Sequence, residues 1–229
     1  MIITGLTASG KTTQSRHISQ NLGLQYVSGS EIRSRLLGIP EDLAANSHFW
    51  RESDRGGAFD RARLAGIDAR DRAVEDELIG IAKRSEGCVF DAWVMPWLFR
   101  DKSLCIYLRS SLHTRARRVF RSTQILSFDE VLQELEQKDR LAQQFFLAAY
   151  SVDIVADMLP FDVIVDSNEL DDDGNRCISL ISQQLSTIVQ LALSGKGPEL
   201  QEFLLSVSNS EDRSAKTWIT TALFSRLTE

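Results

Sequence analysis

Cysteine is scarce in this 229-residue chain: Cys88, Cys105 and Cys177 are odd in number, far apart, and never arranged as C-x-x-C. The expectation is therefore neither a disulfide framework nor a structural zinc site. Cys88 and Cys105 lie in strand-like apolar runs and read as small core residues. Histidine is as rare, and His17, His48 and His113 are too scattered to form a ligand cluster. No apolar run approaches the roughly 20 residues of a membrane span. The opening "MIITGLTASGK" lacks the basic stretch and long apolar core of a secretory leader. These absences together predict a cytoplasmic protein with no membrane attachment. Lysine is under-used: of 26 basic residues only six are lysine. Arginine's rigid donor fork suits phosphate and carboxylate groups, so the bias hints at anionic small ligands. A net charge of −6, with no basic stripe, argues against a nucleic-acid partner.

The composition that remains, 43% hydrophobic and 25% charged, is that of an ordinary folded protein. Short apolar runs rich in β-branched and aromatic residues recur at 1–3, 24–27, 88–93, 103–108 and 161–166. None alternates strictly, as expected of parallel strands buried on both faces. Helical stretches lie between them. Residues 11–22 end at Gly23, and a run over 58–86 places Ile67, Val74, Leu78 and Ile81 on one side before Gly87 stops it. Ser127 and Glu130 form an S-x-x-E capping box, with Leu126 and Val131 placed as a hydrophobic staple. Ile178, Ile181, Leu185, Ile188 and Ala192 mark an amphipathic helix over 175–193. Strands alternating with helices predict an α/β fold, a three-layer sandwich with a five-stranded parallel sheet flanked by helices. After "SGKGP", a helical C-terminal extension over 194–229 is expected, with amphipathic helices around Phe203–Leu205 and around Trp218, Leu223 and Leu227. It is too short for its own core. It should pack on the main domain or join two subunits through 199–229.

The sharpest motif is "GLTASGKT", Gly5 to Thr12, which fits G-x-x-x-x-G-K-[ST] and lies between a strand and a helix. Such a P-loop converges backbone N–H groups on a phosphate chain, aided by the positive end of the following helix. Gly5, Ala8, Ser9, Gly10, Lys11, Thr12 and Thr13 are the expected nucleotide-binding residues. Lys11 brings positive charge to the β/γ phosphates, and the Thr12 hydroxyl is a magnesium ligand. Asp91 ends the run "CVF" and so emerges at the same carboxyl edge of the sheet. There it can hold Mg²⁺ or accept a proton; capping the next turn is the plainer alternative.

With these residues in view the chain resembles the nucleoside monophosphate kinases, in particular their cytidylate kinase-like branch, over 1–193. The resemblance rests on "IITGLTASGKTTQSRHISQNLGLQYVSGSEIR", "GCVFDAWVMPWL", "LCIYLRSSLHTRARRVFR", and "LAAYSVDI" followed by "FDVIVDSNEL". It implies ATP and Mg²⁺ at the loop and an acceptor monophosphate held within 28–85. It also implies a lid region over 109–142 that closes to exclude water. Lys11, Asp91, Arg115, Arg118 and Arg121 are then the catalytic candidates, and Glu31, Arg33, Arg35 and Trp93 the acceptor-side ones.

The chain departs from the family pattern at three places. Ser34 stands where a phosphate-gripping arginine is usual, Trp93 replaces the arginine after the third strand, and Ala142 and Phe145 replace an Asp and an Arg of the lid helix. Arg140 does not substitute, being about 140° around the helix from Phe145. Arginines at 51, 55, 61, 63, 70 and 72 could supply acceptor charge, or simply form surface ion pairs. Trp93, Trp97, Phe49 and Trp50 could stack on a planar group or pack under a loop. Three functions stay open at this point: an ATP-dependent phosphotransferase with a nucleotide or small hydroxylated acceptor, an ATP-binding regulatory protein with degenerate arginines, and a nucleic-acid end kinase.

Overall fold

The five short apolar runs each supply a parallel strand of one sheet, with most of their side chains buried on its two faces. In the computed structural model, which describes residues 1–39, 69–99, 103–123, 126–168, 174–208 and 216–219, β1 is Ile2–Thr4, β2 Gln25–Ser28, β3 Cys88–Asp91, β4 Cys105–Arg109 and β5 Val163–Asp166. With a sixth strand, β6 (Lys216–Ile219), the order across the sheet is β2-β3-β1-β4-β5-β6. Ile3 pairs with Asp91 on one side and Ile106 on the other, so β1 is central and its following loop opens where the chain order reverses. Ile3, Ile106 and Leu108 join one core cluster; Ile2, Cys105 and Tyr107 join another on the opposite face. Both faces are apolar, which is why no period of two was visible.

Around the sheet lie α1 (Lys11–Leu22), α2 (Gly29–Leu36), α3 (Ala69–Arg84), the short α4 (Met95–Leu98), α5 (Leu112–Thr123), α6 (Phe128–Tyr150), α7 (Gly174–Leu193) and α8 (Gly197–Ser208). Gly23 ends α1 at φ 64°, and the Ser127–Glu130 box opens α6 with both of its reciprocal bonds formed. Leu126 and Val131 lie in one small cluster beneath that box. Ile181, Leu185 and Ile188 are the buried face of α7. The helical run expected over 58–86 is described from Ala69 onward, and Ile67 lies outside the described residues. Among the described residues, no helix is long and apolar enough to cross a membrane.

The extension differs in part from expectation. Its first helix, α8, is present, with Leu200 and Leu204 fully buried in the same cluster as Leu185 and Ile188. Trp218, expected in a second helix, instead lies in β6 (Lys216–Ile219), antiparallel to β5 with Ile164 opposite it. Leu223 and Leu227 lie outside the described residues. The segment "KTWIT" is rich in β-branched residues, and the open edge of β5 supplies the unpaired backbone groups that a strand needs.

Burial of the β4 phenol gives a test of this core by pH. Tyr107 is 5% exposed, packs at 5.0 Å between ring centroids on Phe161, and has its pKa pushed up to about 12 by desolvation. The phenol of the unfolded chain ionises first, so its contribution is intact below about pH 10 and is lost as pH rises toward about 12. Tyr107→Phe is expected to flatten this decline, by on the order of 2 kcal/mol in urea unfolding at the alkaline end.

Candidate active site

Three backbone facts shape the loop after β1. A Cβ on Gly5 would stand 2.5 Å from the Leu108 carbonyl oxygen and 2.6 Å from Ser9 Oγ, so only glycine lets the chain leave β1 this close to β4. Ala8 and Gly10 take positive φ, 62° and 99°, which turns the loop back toward α1. Gly10 then caps α1 with no side-chain hydrogen bond, and no acidic residue occupies the first turn. The first turn of α1 itself therefore brings no negative charge to the positive end of the helix. Ser9 is buried, and its Oγ has no hydrogen-bond partner among the described residues.

Lys11, the first residue of α1, is 9% exposed. Its ammonium donates to the Leu6 carbonyl at 3.2 Å and stands 4.9 Å from the centre of the Trp93 ring. Desolvation pushes its pKa down, with Asp91 opposing that shift. Thr12 Oγ1 donates to Asp91 Oδ2 at 2.6 Å, and Tyr26 OH reaches the same oxygen at 3.4 Å. Parallel pairing of β1 with β3 brings Asp91 level with the start of the loop, as its position at the end of "CVF" implied. Thr13 is exposed on the first turn of α1.

The lid arginines point into the loop's own framework. Arg115, 2% exposed on α5, makes a bidentate pair with Asp139 of α6, at 3.1 and 2.5 Å, and also donates to the Thr7 carbonyl at 3.1 Å. Burial pushes the Asp139 carboxyl up, and Arg115 pulls it part of the way back. Arg118, one turn on, donates to the carbonyls of Ala8, Ser9 and Ser167 and to the hydroxyls of Ser110 and Ser167. Arg121 is exposed at the last turn of α5. Two of the three candidates therefore hold the loop's carbonyls from outside.

On the acceptor side, Ser28 caps α2 by accepting from the Glu31 amide at 3.3 Å. Glu31 is exposed and pairs with Arg16 at 3.2 Å, and Arg16 also lies over the Tyr26 ring. Arg33 is half-buried on α2, while Arg35 is exposed and pairs with Glu77 of α3. Ser34 is buried, its hydroxyl bonded to the Ser30 carbonyl at 2.8 Å. Trp93 stacks on Phe146 of α6 with centroids 5.7 Å apart, and Ala142 and Phe145 are buried in the same cluster. Trp97 donates to Asp157 at 2.8 Å and packs on Phe161. Phe49, Trp50 and the arginines at 51, 55, 61 and 63 lie outside the described residues, and side chains are described from residue 72 onward in α3.

Sequence reasoning missed Asp139, Tyr26, Ser110 and Ser167. The serines had a usable signal, since "LRSS" and "VDSN" each place one just past a strand end, at the edge where the loop lies. Asp139 and Tyr26 had none, because their partners are remote in sequence.

These residues fit a magnesium–nucleotide pair. Gly5, where a Cβ would clash, the uncapped helix end and the buried ammonium are of the kind that would cradle phosphate oxygens. Thr12 and Asp91 offer hard oxygen ligands to a divalent cation. Among the described residues no three His, Cys, Asp or Glu side chains cluster as a metal cage, so such a cation would complete its shell with phosphate and water.

Residues 2–169 match the family model described as the cytidylate kinase-like family. A cytidylate kinase of Pyrobaculum calidifontis is 31% identical over 181 residues, 78% of this chain and 89% of that one. One from Sulfurisphaera tokodaii is 24% identical over 174 residues, 76% and 88% of the two chains. Among solved structures, an uncharacterized protein from Eubacterium ventriosum aligns with a TM-score of 0.53 at 10% identity, covering 81% of this chain and 97% of that one. That last likeness is one of fold.

Proposed function

The chain belongs to the cytidylate kinase-like family, and from that premise we propose that this P-loop kinase transfers the γ-phosphoryl group of Mg²⁺-ATP to a small acceptor, with a pyrimidine nucleoside monophosphate the first candidate. The observation that carries the reading is the Thr12 hydroxyl bonded to Asp91 at the end of β3, beside the buried ammonium of Lys11: hydroxyl, carboxylate and cation gather at one edge of the sheet.

Lys11 and the amides of Ala8 and of Gly10 to Thr13 would hold the phosphate chain, the Ser9 amide being bonded to the Leu6 carbonyl, and Thr12 with Asp91 would hold the metal. Bound there, Mg²⁺ would neutralise charge on the phosphate oxygens and keep them in line with the acceptor. The protein's own part is positioning. Asp91 fixes the Thr12 hydroxyl and takes the Tyr26 bond, so one carboxylate keeps the metal-side oxygens in register. Arg118 and Arg115 hold the loop carbonyls outward, which leaves the loop amides turned toward the phosphates. The Trp93–Phe146 stack walls the site against water. Glu31 and Arg33 at the start of α2 would meet the acceptor at the mouth.

A second reading, a small hydroxylated acceptor without a phosphate, draws support from Ser34 and Trp93. One side chain is buried in its own helix and the other is stacked, so neither brings charge to the acceptor. A coupled ADP-release assay over pyrimidine and purine monophosphates, nucleosides and small polyols distinguishes the two. Turnover with one acceptor class identifies it; no acceptor-stimulated turnover across the panel sinks the kinase reading for this chain. Asp91→Asn is expected to lower kcat/KM by 10- to about 100-fold and to raise the Mg²⁺ concentration for half-maximal rate, since the amide keeps the hydroxyl contact but loses the charge. A magnesium titration of initial rates checks this.

A further inference from the structure

Lys11 is buried, yet its direct contacts among the described residues are a neutral carbonyl and an indole face. A desolvated ammonium needs compensating negative potential: Asp91 and Asp139 supply part of it from a distance, and the π face of Trp93 supplies it in contact. The indole is itself fixed, because it stacks on Phe146, a 3%-exposed residue near the C-terminal end of α6. Phe146 lies seven residues, about two turns, beyond Asp139, so the two share one side of α6. That side reaches the phosphate loop twice: through Asp139, Arg115 and the Thr7 carbonyl, and through Phe146, Trp93 and the Lys11 ammonium.

We propose that Trp93 is a positioning residue for Lys11: its π face holds the ammonium in register over the phosphate loop before nucleotide arrives, and ties that register to helix α6. Without the indole, Lys11 has bulk around it but less to hold its charge, and it must be reordered each time a nucleotide binds. The loss therefore falls on nucleotide affinity. The proposal rests on the nucleotide-binding reading of the loop.

Shape and charge can be varied separately at this one position in the full chain. Trp93 is replaced site-specifically by its 5-fluoro, 5,7-difluoro and 5,6,7-trifluoro analogues, which nearly preserve its outline while progressively weakening its π face. Calorimetry with Mg²⁺-ATP is the readout, with Trp93→Leu and Trp93→Phe as companions. The expected result is a Kd that rises stepwise with each fluorine. Trp93→Leu should weaken binding about tenfold, and Trp93→Phe should recover most of that loss. A Kd flat across the fluorinated series, with clear binding by the unaltered protein, overturns the role of Trp93 and leaves the kinase reading intact. No heat from the unaltered protein overturns both.

Discussion

Lys11→Met is expected to abolish useful turnover, lowering kcat/KM by about 10³-fold, while the protein melts at or slightly above the temperature of the unaltered chain. The two halves of that result have one cause. At 9% exposure the ammonium is held against its desolvation, which is what drives its pKa down. Methionine fills a similar volume and removes the buried charge, so the fold gains or breaks even. What disappears is the cation that would stabilise charge building on the oxygens of the transferred group. Initial rates by coupled ADP release, beside calorimetric melts, read the two effects independently. A Met variant that keeps a tenth of the rate would assign Lys11 to loop architecture alone.

How much of this was legible in the sequence depended on whether partners are local. The loop, its helix, the Gly23 stop and the Ser127–Glu130 box are all written within a few residues, and each forms as its spacing implies. Asp91 could be placed because a strand end fixes an edge, and parallel register then sets it beside Thr12. The apolar face of α6 at Ala142 and Phe145 was likewise readable from helical geometry, and both are buried. What the sequence hid was pairing at long range. Nothing near Trp93 announces that its ring will meet Lys11, 82 positions earlier in the numbering, nor does "KTWIT" announce an open edge at β5. Such contacts are decided by which elements the sheet order brings together, not by local pattern. The serine at 34 and the tryptophan at 93 show the same limit from the other direction. Their departure from the family pattern was visible, but that one is tucked into α2 and the other stacked on α6 needed the fold.

The arginine at 115 is where framework and chemistry compete for one side chain. Its guanidinium is 3% exposed and shared between both oxygens of Asp139 and the carbonyl of Thr7. Removing it in Arg115→Met strands a largely buried carboxylate, and the expected loss of stability is about 3–5 kcal/mol in urea unfolding. Asp139→Asn strands the guanidinium instead and should cost a similar amount. The double variant Arg115→Met/Asp139→Asn is expected to lose clearly less than the sum, because no unpaired charge is left behind. Turnover should divide the pair differently. Asp139→Asn leaves the arginine's bond to the loop and its charge in place, so at a temperature well below melting it should keep kcat within about tenfold. Arg115→Met loses the donor to Thr7 and a positive charge beside the phosphate site, and should fall about 100-fold further. Equal losses of kcat in the two single variants would mean that Arg115 serves only to hold α6 against the loop, and that the charge on the moving phosphoryl group is met from elsewhere.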